Sequence, residues 1–338
     1  MKKIICVMAV ICLLTGFAYS LVLASGDGSI GVSIDRGASY LKKAVREDRH
    51  HLACRASDGS ECPVHKTGHV FAGFFIAEAI GDLLSPAEKQ KITDRMDAEN
   101  RQGVWGYMIY APVDSDDTAF VIRTNRLLGK NKAADSLLRF YDKDAGAFTT
   151  FDGRGPAALV YEPSEAGNYA LHPEVNANVF TLLADTPLAG LINDDLIIRA
   201  QTPQGWWHSY FYPGRYYATA MSLKMLCKTK KGENARKKGI AFLQSSQKPD
   251  GSWGGAYDTA LALHALAACG VYDDAFGKGI SWLALQQKPD GSWRDEEVPL
   301  WEYTYKDHPK VIWRAYDTNS VVTTALAVSA LRSAQRGK

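Results

Sequence analysis

Two kinds of helical segment alternate along this chain, and a short turn motif marks each change. Gly239-Ile240-Ala241-Phe242-Leu243 leads into Gln247-Lys248-Pro249-Asp250-Gly251-Ser252-Trp253. Forty residues later, Gly279-Ile280-Ser281-Trp282-Leu283 leads into Gln287-Lys288-Pro289-Asp290-Gly291-Ser292-Trp293. A third copy is Gln201-Thr202-Pro203-Gln204-Gly205-Trp206-Trp207, and a shortened fourth is Gln102-Gly103-Val104-Trp105. Self-similarity at this period is the signature of a repeat architecture. In each copy a helix ends at Gln, a Gly at positive φ makes the turn, and Trp packs over it. A second, more apolar helix then begins at a polar position: Asp117-Thr118-Ala119, Ala218-Thr219-Ala220, Asp258-Thr259-Ala260 and Asp317-Thr318-Asn319.

The pattern predicts about twelve helices, starting near Ser33, Gly68, Pro86, Ser115, Asn131, His172, Gly190, Tyr216, Glu233, Tyr257, Tyr272 and Asp317. Taken in pairs, they close into a ring of six hairpins, an all-α (α/α)6 toroid over residues 30–335 with no sheet of consequence. Apolar second helices such as Ala260-Leu261-Ala262-Leu263 belong to the inner ring, and their charged partners to the outer one. The turn tryptophans are expected to be fasteners.

All inner helices would run the same way, so their N-termini share one mouth. That mouth would gather His69, Asp114, Asp116, Asp117, His172, Glu174, Asn176, Tyr217, Asp258 and Asp317. A pocket there is the default place for function. Asp114-Ser115-Asp116-Asp117 is its most unusual feature. A helix start needs one acceptor as a cap, and acids in its first turn suit the helix dipole. Three close carboxylates cannot all ionise cheaply, so one proton should be retained near neutral pH. That makes a positioned Brønsted acid. Taken alone, the motif also fits an over-capped helix or a metal site.

With 46% hydrophobic and 22% charged residues the composition is that of an ordinary globular chain, and a net charge of +2 gives no argument for nucleic acid. Lys2-Lys3 precede an apolar run from Ile4 to Ala24, followed by Ser25-Gly26-Asp27-Gly28. Residues 1–24 therefore read as an export signal, and the run is also long enough to stay as a membrane anchor. Export would place the chain in a periplasmic or extracellular setting. Beyond that segment lie Cys54, Cys62, Cys227 and Cys269. Cys54 and Cys62 flank a turn-rich stretch and are expected to form a disulfide. The competing metal set, Cys54, Cys62, His65 and His69, matches no common zinc spacing. Cys227 and Cys269 read as buried thiols or a second bridge.

The Gln-x-x-x-Gly-x-Trp repeats together with Asp114-Ser115-Asp116-Asp117-Thr118-Ala119 resemble the class II terpene cyclases, above all squalene-hopene cyclase. The Gly-Cys-Gly-Glu-Gln motif of thioester toroids is missing. So is the Asp-x-Cys of prenyltransferase β-subunits, since Asp258 is followed by Thr259-Ala260. The resemblance extends to Ser33–Leu41, to Glu174-Val175-Asn176-Ala177-Asn178, and to Leu300–Tyr305 as the segment that closes the barrel. It implies that Asp116 protonates a terminal alkene or epoxide while Asp114 and Asp117 hold it, with no metal or cofactor needed for that step. The family's histidine partner falls on Asn178. Rings available to stabilise a cation are Trp206, Trp207, Tyr210, Tyr212, Tyr216, Tyr217, Tyr257 and Trp313. Residues expected to meet substrate are His172, Glu174, Trp207, Tyr217, Asp258, Trp313 and Asp317.

The implied activity is proton-initiated cyclisation or isomerisation of an isoprenoid lipid. The family normally builds its cavity between two barrels, and the second is absent here. Something else must exclude water: a second subunit, a membrane surface or a deep narrow barrel. The rival reading is a secreted toroid that binds a lipid or glycan, either without catalysis or as a polysaccharide-degrading enzyme using an acid/base pair such as Asp116 with Glu174 or Asp258.

Overall fold

The repeat motif builds the ring through a fixed set of hydrogen bonds. In a computed structural model, which describes residues 26–60, 62, 66–107, 112–152, 171–295, 299–305 and 308–337, the glutamine of each of the three full copies reaches two carbonyls. Gln247 Nε2 donates to Gly251 O (2.9 Å) and to Ala275 O of the next outer helix (2.8 Å). Gln201 does the same with Gly205 and Ala235. Gln287 donates to Gly291 and to Ser33, so the last motif binds the first helix and closes the ring. Gly251 and Gly291 sit at φ +93° and +92°, and a Cβ there would meet the Lys278 and Arg36 carbonyl oxygens at 2.8 and 2.5 Å. Only glycine fits on both counts.

The tryptophans are fasteners, as expected. Trp207, Trp253 and Trp293 are buried, and each indole N–H donates at 2.7 Å to a carbonyl of the outer helix before it: Ile197, Leu243 and Leu283. The backbone N–H of each turn tryptophan bonds an inner-helix hydroxyl: Trp105 to Thr118, Trp207 to Thr219, Trp253 to Thr259 and Trp293 to Thr324. Asn176 plays this part for Phe148 N–H (2.9 Å).

Eleven α-helices are seen among the described residues. They are α1 (Gly26–Arg46), α2 (His69–Ile80), α3 (Pro86–Asp97), α4 (Ser115–Leu127), α5 (Pro173–Leu183), α6 (Asp194–Arg199), α7 (Tyr216–Thr229), α8 (Glu233–Ser246), α9 (Ala256–Ala268), α10 (Asp274–Leu285) and α11 (Val321–Arg336). Helices α2, α4, α5, α7, α9 and α11 touch in that order, and α11 returns to α2, forming the inner ring. Helix α2 is apolar nearly all round, as a doubly packed helix must be. The outer helix expected near Asn131 is a 3-10 segment, Asp135–Phe140, and the one near Gly190 is the short α6.

Two expectations change. A four-stranded antiparallel sheet forms, in the order β2–β1–β8–β7, from β1 (Leu52–Ala56), β2 (Lys66–Thr67), β7 (Pro299–Tyr305) and β8 (His308–Tyr316). Pairs β3/β4 (Asn100–Arg101, Val104–Trp105) and β5/β6 (Tyr141–Asp142, Ala147–Phe148) are single hairpin rungs. The β7–β8 hairpin lies between the Trp293 turn and α11. It displaces that helix from Asp317 to Val321, so Thr324 and not Thr318 makes the rung. The second change concerns Trp207, whose bonded and fully buried ring cannot meet a ligand.

Cys54 and Cys62 lie at disulfide distance (Cα–Cα 5.9 Å), as do Cys227 and Cys269 (5.2 Å). No described helix is long and apolar enough to cross a membrane. Residues 1–24 and His65 lie outside the described residues.

Candidate active site

The rung residues align the first turns of the inner helices. Two positions before each rung stand Asp116, Glu174, Tyr217, Tyr257 and Val322. Asp116 therefore occupies a repeat position that the fold aims at the mouth. A cavity of about 540 Å³, including its open entrance, lies there. Asp114, Asp116 and Asp117 contribute its acids. Phe71, Tyr107, Phe151, Phe211, Tyr212 and Trp301 give it aromatic walls, with Thr150 and Val175 between them.

The three acids do different work. Asp114 is the N-cap of α4, its Oδ1 accepting Asp117 N–H at 2.7 Å. Asp117 hydrogen-bonds the Asp114 carboxyl. Asp116 is bound elsewhere: Oδ1 accepts from Asn178 Nδ2 (2.9 Å) and Oδ2 from the Tyr212 hydroxyl (3.3 Å). Burial drives the Asp116 carboxyl well above the usual range, and the neighbouring Asp117 and Glu174 push the same way. The Asn178 and Tyr212 hydrogen bonds offset only part of this. Burial and the Asp116 charge raise Asp114 to about 8. Asp117 is also driven well up, by burial and then by Asp114. The cluster holds protons at neutral pH.

The other expected site residues divide. Asn178 stands one layer behind the cavity and also donates to the Tyr217 hydroxyl (3.3 Å). Tyr217 stacks on Tyr212 with ring centroids 3.5 Å apart, so it supports the wall from behind. His172 bonds Thr150 Oγ1 (2.7 Å), stacks on Tyr210, and is lowered to about 4 by burial, so it stands neutral beside the wall. Glu174 is fully buried and bonds the loop that carries Phe211 and Tyr212.

Asp258, Trp313 and Asp317 do not join the cavity wall. Asp317 caps α11, accepting from Val321 N and Thr323 N at 2.8 Å. Asp258 lies at the start of α9 near Asp295, which bonds Tyr257 N–H (2.9 Å); burial and Asp295 raise Asp258 to about 7. Trp313 is a buried residue of β8. Among the described residues no set of His, Cys, Asp and Glu is arranged to hold a metal ion.

Phe71, Phe151, Phe211, Tyr107 and Thr150 were not expected at the site. Phe71 reads as core on an apolar helix, and the others arrive on loops and hairpins whose course the pattern does not fix. Trp301, in the segment expected to close the barrel, packs edge-on against Tyr107 (4.9 Å) and does help to roof the cavity.

Residues 193–333 match the family model described as the squalene-hopene cyclase C-terminal domain. A copalyl diphosphate synthase from Streptomyces anulatus is 24% identical over 201 residues, covering 55% of this chain and 33% of that protein. The chain thus spans about a third of that relative's length. Among solved structures, the type II terpene cyclase MstE from Scytonema superposes with a TM-score of 0.73 at 18% identity, over 92% of this chain and 99% of that one. The ent-copalyl diphosphate synthase from Streptomyces platensis gives 0.61 at 21% identity, over 82% and 52%. MstE has also been solved in complex with geranylgeranyl dihydroxybenzoate, described as its substrate. Over residues 193–333 the chain is similar to the squalene-hopene cyclase C-terminal domain, and it has the α/α toroid fold of the type II terpene cyclases.

Proposed function

We propose that the protein is an enzyme of the class II type, in which Asp116 protonates a terminal alkene or epoxide of an isoprenoid lipid and starts its cyclisation or isomerisation. The observation that carries this reading is the setting of Asp116: a protonated, buried carboxyl, fixed by two neutral hydrogen-bond donors, facing a cavity walled by aromatic rings. The Asp116 proton passes to the alkene carbon, the ring bonds form from π electrons, and a final C–H proton is lost. No proton is gained or spent overall. A neutral acid in a dry pocket is the device this step needs, and each ring face near the cation contributes about 0.5–2 kcal/mol.

A single barrel suits this reading. The cavity lies inside the mouth, with the Trp301–Tyr107 pair over it, and MstE is matched over 99% of its own length by a ring of this extent. The substrate named for MstE, a geranylgeranyl conjugate, supports an isoprenoid as the class to try first. Asn178 takes the place of the family histidine and orients Asp116 by hydrogen bonding alone, so Asn178→His is expected to raise turnover. Residues 1–24 would direct export or anchor the chain at the membrane that holds the lipid.

Purified protein incubated with squalene, geranylgeranyl diphosphate and a membrane lipid extract, followed by mass spectrometry, tests the reading. A product isomeric with its substrate is expected from one of them. Failure to convert any isoprenoid in the extract would sink it.

A further inference from the structure

Part of the cavity wall comes from a segment with no regular structure. Phe211 and Tyr212 reach the cavity from the stretch between the Trp207 turn and α7. One carboxylate gathers that stretch. Glu174 Oε1 accepts from Ser209 Oγ (2.9 Å), Tyr210 N–H (2.6 Å) and Phe211 N–H (3.3 Å). Ser209 Oγ in turn accepts from Tyr212 N–H (3.0 Å). On its other side the stretch meets the sheet, where Phe211 O accepts from Glu302 N–H (2.7 Å), next to Trp301. Tyr210 stacks on His172 at 4.6 Å.

We propose that Glu174 is a positioning residue, whose carboxylate clamps Ser209–Tyr212 onto the first turn of α5 and so sets the Phe211 ring and the Tyr212 hydroxyl against the cavity and Asp116. This rests on the reading of Asp116 as the proton donor. The N-cap of α5 is His172, which makes no capping bond, while Glu174 in the first turn sends Oε1 to the loop. Glu174 stands at the repeat position of Asp116, two before its rung Asn176, so the same turn geometry that aims Asp116 at the cavity aims Glu174 at the loop. The clamp has a consequence for Tyr212, whose hydroxyl donates to Asp116 Oδ2 and whose ring lies between Phe71 and Tyr217. Released from Ser209 and Glu174, Tyr212 would lose the backbone anchors that hold its ring in that stack. Burial raises the Glu174 carboxyl itself; when ionised, its charge raises Asp116, a second route to the same acid.

Two variants separate these roles. Glu174→Ala removes the acceptor, whereas Glu174→Gln keeps an oxygen for the loop N–H groups and removes the charge. In hydrogen exchange of the intact protein, Glu174→Ala is expected to speed the Tyr210, Phe211 and Tyr212 amides by about tenfold or more, leaving α7 as in wild type. Turnover of the isoprenoid should fall mainly in kcat. Glu174→Gln should keep most of the loop protection and move the alkaline limb of the pH–rate profile to lower pH. Should Glu174→Ala not fold, Ser209→Ala, which deletes the Tyr212 acceptor, gives the same exchange readout at that amide. Wild-type exchange in both loop variants would overturn the clamp, and a wild-type alkaline limb in Glu174→Gln would overturn the coupling to Asp116. If wild-type protein converts no isoprenoid, the cyclase reading fails and the exchange result alone decides whether Glu174 clamps the loop.

Discussion

Asp116, buried, and Glu78, largely buried, are carboxyl groups inside one barrel, and they are held in opposite states. Glu78 lies near the C-terminal end of α2. Lys224 pairs with it from α7, the helix directly across the ring, and Arg123 from α4 lies at 3.3 Å. Burial alone would raise Glu78, but Lys224 and Arg123 outweigh it and hold the carboxyl at about 2. Asp116 is seven residues, or about 10 Å, along α4 from Arg123. It is bonded by the neutral donors Asn178 and Tyr212 and surrounded by acids, and it keeps its proton. Helix ends account for part of this division. Cations suit the negative C-terminal ends that meet at Glu78. At the mouth the positive ends favour ionised acids, yet burial and like charge prevail. Burial raises both carboxyls; the cations Lys224 and Arg123 reverse that at Glu78, and no cation does so at Asp116.

The largest effect should come from breaking the paired end. Glu78→Gln strands Lys224 and Arg123 and is expected to cost about 3–5 kcal/mol in denaturant unfolding; a loss under 1 kcal/mol would show that the ion pair is not needed there. Trp293→Ala, at a fastener of the mouth end, should cost about 3–5 kcal/mol while leaving ligand affinity per folded molecule unchanged. A variant that keeps its melting temperature but loses binding would contradict the fastener role.

The pH dependence of stability reads both ends at once. The mouth acids have folded pKa values above their unfolded ones, Asp114 at about 8 and Asp258 at about 7 against 3.8. Their contribution is fully present below pH 3.8 and is lost as pH rises towards 7–8, at about 1.4 kcal/mol per pH unit for each proton retained. Glu78 works in reverse, contributing above 4.5 and losing that contribution as pH falls towards 2. Unfolding free energy should therefore fall between about pH 5 and pH 8, and a flat profile there would mean that the mouth acids are ionised.

Smaller effects should follow at the sheet and at the acid itself. Thiol labelling of unreduced, denatured protein should find Cys54 and Cys62 blocked, and replacing both by Ser should cost about 2–3 kcal/mol; labelled Cys54 and Cys62 would refute the bridge. Asp116→Asn should change stability by at most about 1–2 kcal/mol, because its amide oxygen can still accept from Asn178 Nδ2 while its NH2 donates to the Tyr212 hydroxyl oxygen.

The ring was legible because its determinants are local and repeated: Gln, Gly, Trp and a rung hydroxyl at fixed offsets. Asp116 was legible because three acids at one helix start exceed what capping needs. The sheet was not, because β8 follows a turn motif after which every other copy gives a helix, and its pairing with β1 spans nearly the whole chain. Asp317 and Trp207 were assigned to the site by helix-start position and residue type. Their side chains are taken up by a cap and a fastener, a choice that hydrogen-bond geometry makes and residue order does not. Phe211 and Phe151 went unnoticed for the converse reason: nothing local marks a loop phenylalanine as cavity wall.

Catalysis by Asp116 turns on the transfer of one proton. Turnover in deuterium oxide, with the product read by mass spectrometry, tests it most directly. Wild-type protein should place one solvent deuterium in a new C–D bond at the end of the isoprenoid chain, and Asp116→Asn, folded and with its melting temperature within a few degrees of wild type, should give no product. Product from an alkene substrate without solvent deuterium, or Asp116→Asn turning over at the wild-type rate, would contradict the assignment of Asp116 as the proton donor.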